Sequence, residues 1–257
     1  MLWQDHTWPE LADAARKGYL VVQPCGSTEQ HGKHLPVDTD SAIVFEVAQR
    51  AADEVGRTLV LPCLHYGLSS HHLDFPGTVS LSLETYTALF RDIARCVAHH
   101  GFKILILLNG HGGNTAALKA ISGEFLHEID IRIMAATYWD LIDSEAVARI
   151  RTSPMGGMSH SGEFETSIQL AMRSDRVKTD RYVTNPRKAW LPHTKKDMFR
   201  EGSISFPVRF KEAAEVGTLG DPTSATAQKG EAFLKLAVAA FSDILKRLLE
   251  RQTTKAG

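Results

Sequence analysis

The chain has 257 residues, 43% hydrophobic and 23% charged, with 29 Lys and Arg against 30 Asp and Glu. That composition excludes the low-hydrophobicity regime of disordered chains, and a formal net charge of -1 gives no general pull toward phosphate backbones or anionic lipid. Nucleic acid and membrane are therefore poor partners, and a small-molecule substrate is the better one.

The N-terminus MLWQDHTWPE lacks a basic start followed by an apolar core, and no segment keeps ~20 uncharged apolar residues, so a cytoplasmic location is expected. Residues 18–27 (GYLVVQPCGS) are an apolar run stopping at Gly, as in a strand buried on both faces. Residues 26–40 (GSTEQHGKHLPVDTD) follow and gather one Glu, two His and two Asp. A helical pattern over 40–55 opens on Asp, residues 57–64 (RTLVLPCL) read as a second strand, and a helix over 83–100 opens on SLET, a capping-box arrangement. KILILLNG (103–110) is a third strand run leading into NGHGGN (109–114), a helix spans 114–129, and IRIMAATYW (131–139) is a fourth strand run. SHSGEFETS (159–167) stands at the start of another helix. Over 226–251, Phe233, Leu236, Ala237, Ala240, Phe241, Ile244, Leu245 and Leu248 recur at helical spacing, which predicts a long helix laid on the sheet. This alternation predicts a single α/β domain over 1–257, a three-layer sandwich with a mostly parallel sheet and helices on both faces.

Residues 179–220 break the pattern, being rich in Pro, Gly and basic residues (NPRKAWLPHTKKDMFREG). An irregular excursion of that length reads as a lid, a substrate wall or a subunit contact, with a solvated loop as the plain alternative. Cys25, Cys63 and Cys96 are too few and too scattered for a disulfide framework and are expected as buried thiols. No general base is placed beside Cys25 to make it a nucleophile.

Ligands of open parallel sheets sit beyond the carboxyl ends of the strands. EQHG and NGHGGN both occupy such ends, so Glu29, His31, Asp40 and His111 face one crevice. With His160, Glu163 and Glu165 from a third segment, the donors exceed what one ion needs, and two adjacent divalent ions are the economical reading. Mixed carboxylate and imidazole without thiolate suits catalytic Zn, Mn or Fe(II). Asp40, read as the cap of its helix behind the Glu29 and His31 loop, is the choice for a bridge between cations; Asp38 competes and is placed in the outer shell. The glycines of NGHGGN also suit an anion at a helix N-terminus, a role compatible with His111 binding metal.

Taken together, GSTEQHGKHLPVDTD, FPGTVSLS, NGHGGN, SHSGEFETS and GDPTSAT resemble the creatininase (creatinine amidohydrolase) family, in the same order and over nearly the whole chain. The resemblance implies a metal-dependent hydrolase of cyclic amides or formamides, often hexameric. Glu29, His31, Asp40 and His111 would be metal ligands with Asp40 bridging, and His160 a proton donor or substrate-orienting residue. One departure stands out: creatininase is expected to carry a Glu two residues after the His of NGH, and here that residue is Gly113. Glu163 is the expected replacement, with Glu165 holding a ligand imidazole from outside.

The expected mechanism is attack of a metal-bridging hydroxide on a C–N bond, with His160 protonating the leaving nitrogen. Asn109, Gly112, Gly113, His71 and Trp139 are placed around the pocket, with His71 and His72 shaping its mouth and His65 and Tyr66 nearby. Trp139 stacks on a flat ring or packs in the core. Trp190, Arg187, Lys188, Lys195 and Lys196 could receive a charged group such as phosphate, which would favour a nucleotide-like formamide. The alternatives are a hydrolase of another small ring, of keto-inositol or lactone type, and a non-enzymatic metal-containing maturation or binding protein.

Overall fold

A computed structural model describes residues 1–194, 197–200 and 202–254, so Lys195 and Lys196 lie outside the described residues. In chain order the elements are α1 (Trp8–Arg16), β1 (Leu20–Cys25), α2 (Thr39–Val55), β2 (Thr58–Val60), α3 (Leu83–His99), β3 (Ile104–Asn109), α4 (Thr115–Glu124), β4 (Arg132–Thr137), α5 (Ser144–Ile150), α6 (Glu163–Arg173), α7 (Phe210–Ala213) and α8 (Ala227–Thr254). The strands form one parallel sheet in the order β2-β1-β3-β4, with Cys25 paired to Asn109 and Asn109 to Thr137. Side chains of a strand point alternately to its two faces. Accordingly Leu20, Val22, Ile104, Ile106 and Leu108 join a core with α2, α6 and α8, while Val21, Leu105 and Leu107 join one with α3 and α4. The expected three layers are present.

Boundaries differ where local chemistry was misread. Helix α1 went unrecognised, although Thr7 and Glu10 form a reciprocal capping box ahead of it. The SLET opening of α3 is only half a box: Ser82 accepts from the Thr85 N–H, but Thr85, not an acid, holds the third position. Helix α4 stops at Glu124, five residues before its expected end at 129. Asp40 is not a cap, since α2 begins at Thr39 and Asp40 lies within its first turn. Of the cysteines only Cys25 is fully buried; Cys63 is half-buried and Cys96 exposed.

Two close approaches place that first turn. A Cβ on Gly26 would sit 2.5 Å from Ser41 Cα, and one on Gly110 would sit 2.6 Å from Val44 Cβ and 2.8 Å from the Asp40 carbonyl oxygen. Only glycine at the ends of β1 and β3 lets α2 press onto both strands, and this contact carries Asp40 over the carboxyl edge of the sheet.

Candidate metal centre

Glu29 and His31 leave β1 on a loop pinned by the Glu29 N–H to the Val37 carbonyl, at 2.9 Å. His111 follows β3, its backbone held on both sides by Asn109: the amide Nδ2 donates to the His111 carbonyl at 2.7 Å, and the His111 N–H donates to Asn109 Oδ1 at 3.0 Å. Asn109 thus acts through the backbone. Glu29, His31, Asp40, His111 and Glu165 are all buried together. His111 Nδ1 is 3.1 Å from Glu29 Oε2 and 3.0 Å from Asp40 Oδ2; His31 Nε2 is 3.1 Å from Asp40 Oδ1 and 3.8 Å from Glu165 Oε1.

The network assigns which ring nitrogens carry protons. His31 Nδ1 lies 3.2 Å from the Glu29 carbonyl and His111 Nε2 lies 3.2 Å from the Leu68 carbonyl, so each ring is fixed by an outward N–H and turns its other nitrogen toward the carboxylates. His31 Nε2 and Asp40 Oδ2 are buried without a hydrogen-bond partner among the described residues. Buried carboxylates need a cation, and three of them with two imidazoles and no thiolate suit borderline divalent ions.

Proton affinities reflect the same crowding. Burial opposes charge on His31, yet Asp40 and Glu165 raise its pKa well above normal. Burial likewise opposes charge on His111, but Glu29 and Asp40 push it up to about 10. Burial would raise the Asp40 carboxyl, but His31 and His111 hold it low; for Glu165 burial wins over His31 and raises it. Here the imidazoles stand in as the positive partners of the carboxylates.

His160 is held by its Nε2–H donating to the Gln30 carbonyl at 2.7 Å, leaving Nδ1 3.7 Å from Glu29 Oε1. Burial and the neighbouring His31 keep its pKa well below normal, so the ring is neutral. Gln30 went unnoticed in the sequence. Its Oε1 accepts from the Gly32 N–H at 2.9 Å, which turns Nε2 toward His72 Nδ1, also at 2.9 Å. Ser69 was also missed; it donates to Glu29 Oε2 at 2.7 Å. Neither a lone Gln nor a lone Ser carries a sequence signal for such a role.

The structure corrects three expectations, for Glu163, Asp38 and His72. Glu163 is turned away from the cleft: its carboxylate takes Lys229 Nζ at 2.5 Å, the Ser153 N–H at 2.8 Å and the Thr152 N–H at 3.0 Å, and these outweigh burial in lowering its pKa. Glu165, expected to hold a ligand imidazole, lies beside His31, with Oε1 3.8 Å from Nε2. Asp38 points outward to a two-pronged ion pair with Arg173, at 2.8 and 3.0 Å. His72 is not at the mouth but buried, 3.4 Å from Glu29 Oε1 and stacked on Phe210 with centroids 4.1 Å apart.

Gly113 has a steric reason of its own. A Cβ there would collide with the Leu68 carbonyl oxygen and with His111 Nε2, and would lie 3.0 Å from His71 Cε1. No carboxylate fits at 113 in this backbone. Gly112 faces open space, and the ring of His71 lies parallel to that of His111 at 5.8 Å. Trp139 is buried against Tyr138 with one face to the cleft, while His65 and Tyr66 are not among the residues that line it.

Above these groups opens a cleft of about 870 Å³. One wall comes from the 179–220 excursion, including Arg187, Lys188, Trp190 and Phe206. This wall has little regular structure, but it is tied down: the Asn185 N–H donates to the Gly220 carbonyl at 2.8 Å, and His160 and Leu219 exchange backbone hydrogen bonds. The thiol of Cys25 points elsewhere, to the Gln23 carbonyl, and burial raises its pKa, so it is no nucleophile.

An α/β sheet with buried carboxylates and imidazoles gathered at its strand ends defines the class. Residues 4–245 match the family model described as "Creatininase: Creatinine amidohydrolase", and the chain belongs to the creatininase family. It is 32% identical over 256 residues to a creatinine amidohydrolase of Pseudomonas putida, covering 93% of this chain and 94% of that protein. It is 33% identical over 236 residues to a mycofactocin precursor peptide peptidase of Mycolicibacterium smegmatis, covering 89% and 85%. Among solved structures, a manganese creatininase superposes with a TM-score of 0.82 at 29% identity, covering 96% of this chain and 98% of that one. The peptidase relative was not anticipated from the motifs.

Proposed function

We propose that this chain is a divalent-metal amidohydrolase that cleaves a C–N bond in an amide or formamide held in the cleft. The observation that carries this reading is the convergence of the inward ring nitrogens of His31 and His111 on the two oxygens of Asp40, with Glu29 and Glu165 flanking them. Glu29, Asp40 and His111 would hold one ion, and His31, Asp40 and Glu165 the other, with Asp40 shared. Divalent ions bound there supply Lewis-acid polarisation and lower the pKa of water toward neutrality.

The chain's own side chains do the rest. His160, neutral and fixed through Nε2, presents Nδ1 beside Glu29 to take up a proton and return it to a leaving nitrogen. Ser69 and Asn109 keep Glu29 and His111 from swinging out of line. Trp139 and the excursion shield the floor from bulk water. The same reading takes the chain as one domain, cytoplasmic and homo-oligomeric, with hexamers implied by the family resemblance. Among the described residues no helix is long and apolar enough to cross a membrane.

Metal analysis tests the reading on protein purified without added metal, together with turnover of a panel of cyclic amides and formamides. About two ions per chain are expected, falling to about one in Glu165→Gln and staying at about two in Glu163→Gln. A wild type that binds no Zn, Mn or Fe(II) defeats it.

A further inference from the structure

The floor of the cleft explains its chemistry, while most of its volume serves no part of that chemistry. At about 870 Å³ it lies in the upper part of the ~300–1,000 Å³ range of clefts that bury drug-sized ligands, and a single small ring leaves most of it empty. The space is not neutral. Trp190 and Phe206 are 50% and 51% exposed on the wall, with ring centroids 6.4 Å apart at 45°, so neither ring is used for packing a core. Large apolar side chains left half bare in a concavity mark a binding surface.

Next to them stands a cationic pair. Lys188 is exposed and its ammonium makes no ion pair among the described residues. Arg187 is anchored, its N–H to the Gly156 carbonyl at 2.9 Å and its guanidinium to Ser159 Oγ at 3.4 Å, one residue from His160. Away from the floor, Glu212 is the acid among the described lining residues, so a negative group is favoured on the Lys188 side.

We infer that the substrate is an elongated amide carrying both an apolar, preferably aromatic, group resting on the exposed faces of Trp190 and Phe206 and an anionic group received by Lys188 beside Arg187. This rests on the amidohydrolase reading only for where the scissile bond lies. Carboxylate and phosphate share the required charge, and the experiment separates them.

Intrinsic tryptophan fluorescence follows titration of the metal-loaded protein with N-acetylphenylalanine, its neutral amide and phenyl phosphate. The carboxylate should bind about tenfold more tightly than the neutral amide, a difference of about 1.4 kcal/mol. Lys188→Glu should erase that preference. Tighter binding of phenyl phosphate than of the carboxylate would name phosphate as the anion, and the reverse order would name carboxylate. Equal binding of charged and neutral probes, or a preference that survives in Lys188→Glu, overturns the inference. The titration is repeated in metal-depleted Asp40→Asn. A preference kept there shows the subsite standing on its own even if no amide is ever turned over, while turnover without preference leaves the hydrolase and removes the subsite.

Discussion

The floor of the cleft and its outer wall are built by opposite means. The floor hangs from the ends of β1 and β3 and the first turn of α2, elements whose backbones are locked in a buried parallel sheet. The wall is a long irregular stretch whose only helix longer than a single 3-10 turn, among the described residues, is the four-residue α7. The contrast teaches that the floor is held by the sheet itself, whereas the wall is held by loop hydrogen bonds and meets the floor at Phe210 and Leu219.

The sharpest way to break that contrast is at Asp40. Asp40→Asn should cut metal content from about two ions per chain to near zero and remove nearly all turnover, because its two oxygens lie 3.1 Å from His31 and 3.0 Å from His111. Retention of both ions would mean that the floor is held otherwise. Next in size, Glu163→Gln should lower unfolding free energy by about 3 kcal/mol in denaturant titration while leaving metal content alone, since it removes the charge facing Lys229 across a largely buried ion pair. A variant as stable as wild type would show that the pair contributes nothing to seating α6.

An effect of similar size, reached only at the acid end, is expected with pH. Burial, with help from the nearby His31, lowers His34 from its usual value to about 4. The unfolded chain then binds the extra proton between roughly pH 6.5 and pH 4, so stability should be full above that window and fall as pH drops through it, by up to about 3 kcal/mol at its lower end. His34→Gln should flatten that part of the curve; an unchanged slope assigns it to other groups. Smallest of all, Trp190→Ala should leave unfolding free energy within about 0.5 kcal/mol of wild type and metal content unchanged, because its ring packs into no core. Loss of bound metal in that variant would join wall and floor into one unit.

Much of the floor was legible because its signals are local. A buried strand announces itself by composition, and the loop after it must lie at the carboxyl edge, so Glu29, His31 and His111 could be placed without coordinates. Glu163 and Glu165 could not be told apart in this way. Two residues at the start of a helix point about 200° apart, and nothing in the sequence says which face meets the cleft. The answer came from Lys229, 66 positions away, which claims Glu163. His72 was misplaced for a similar reason, since the ring that buries it, Phe210, belongs to the excursion.

The crowding around position 113 also limits how this lineage can change. Restoring an acid there in one mutational step would drive side-chain atoms into a main-chain oxygen and the neighbouring imidazole before any benefit could be realised. Placing a carboxylate there would require the segment around Leu68 to shift first.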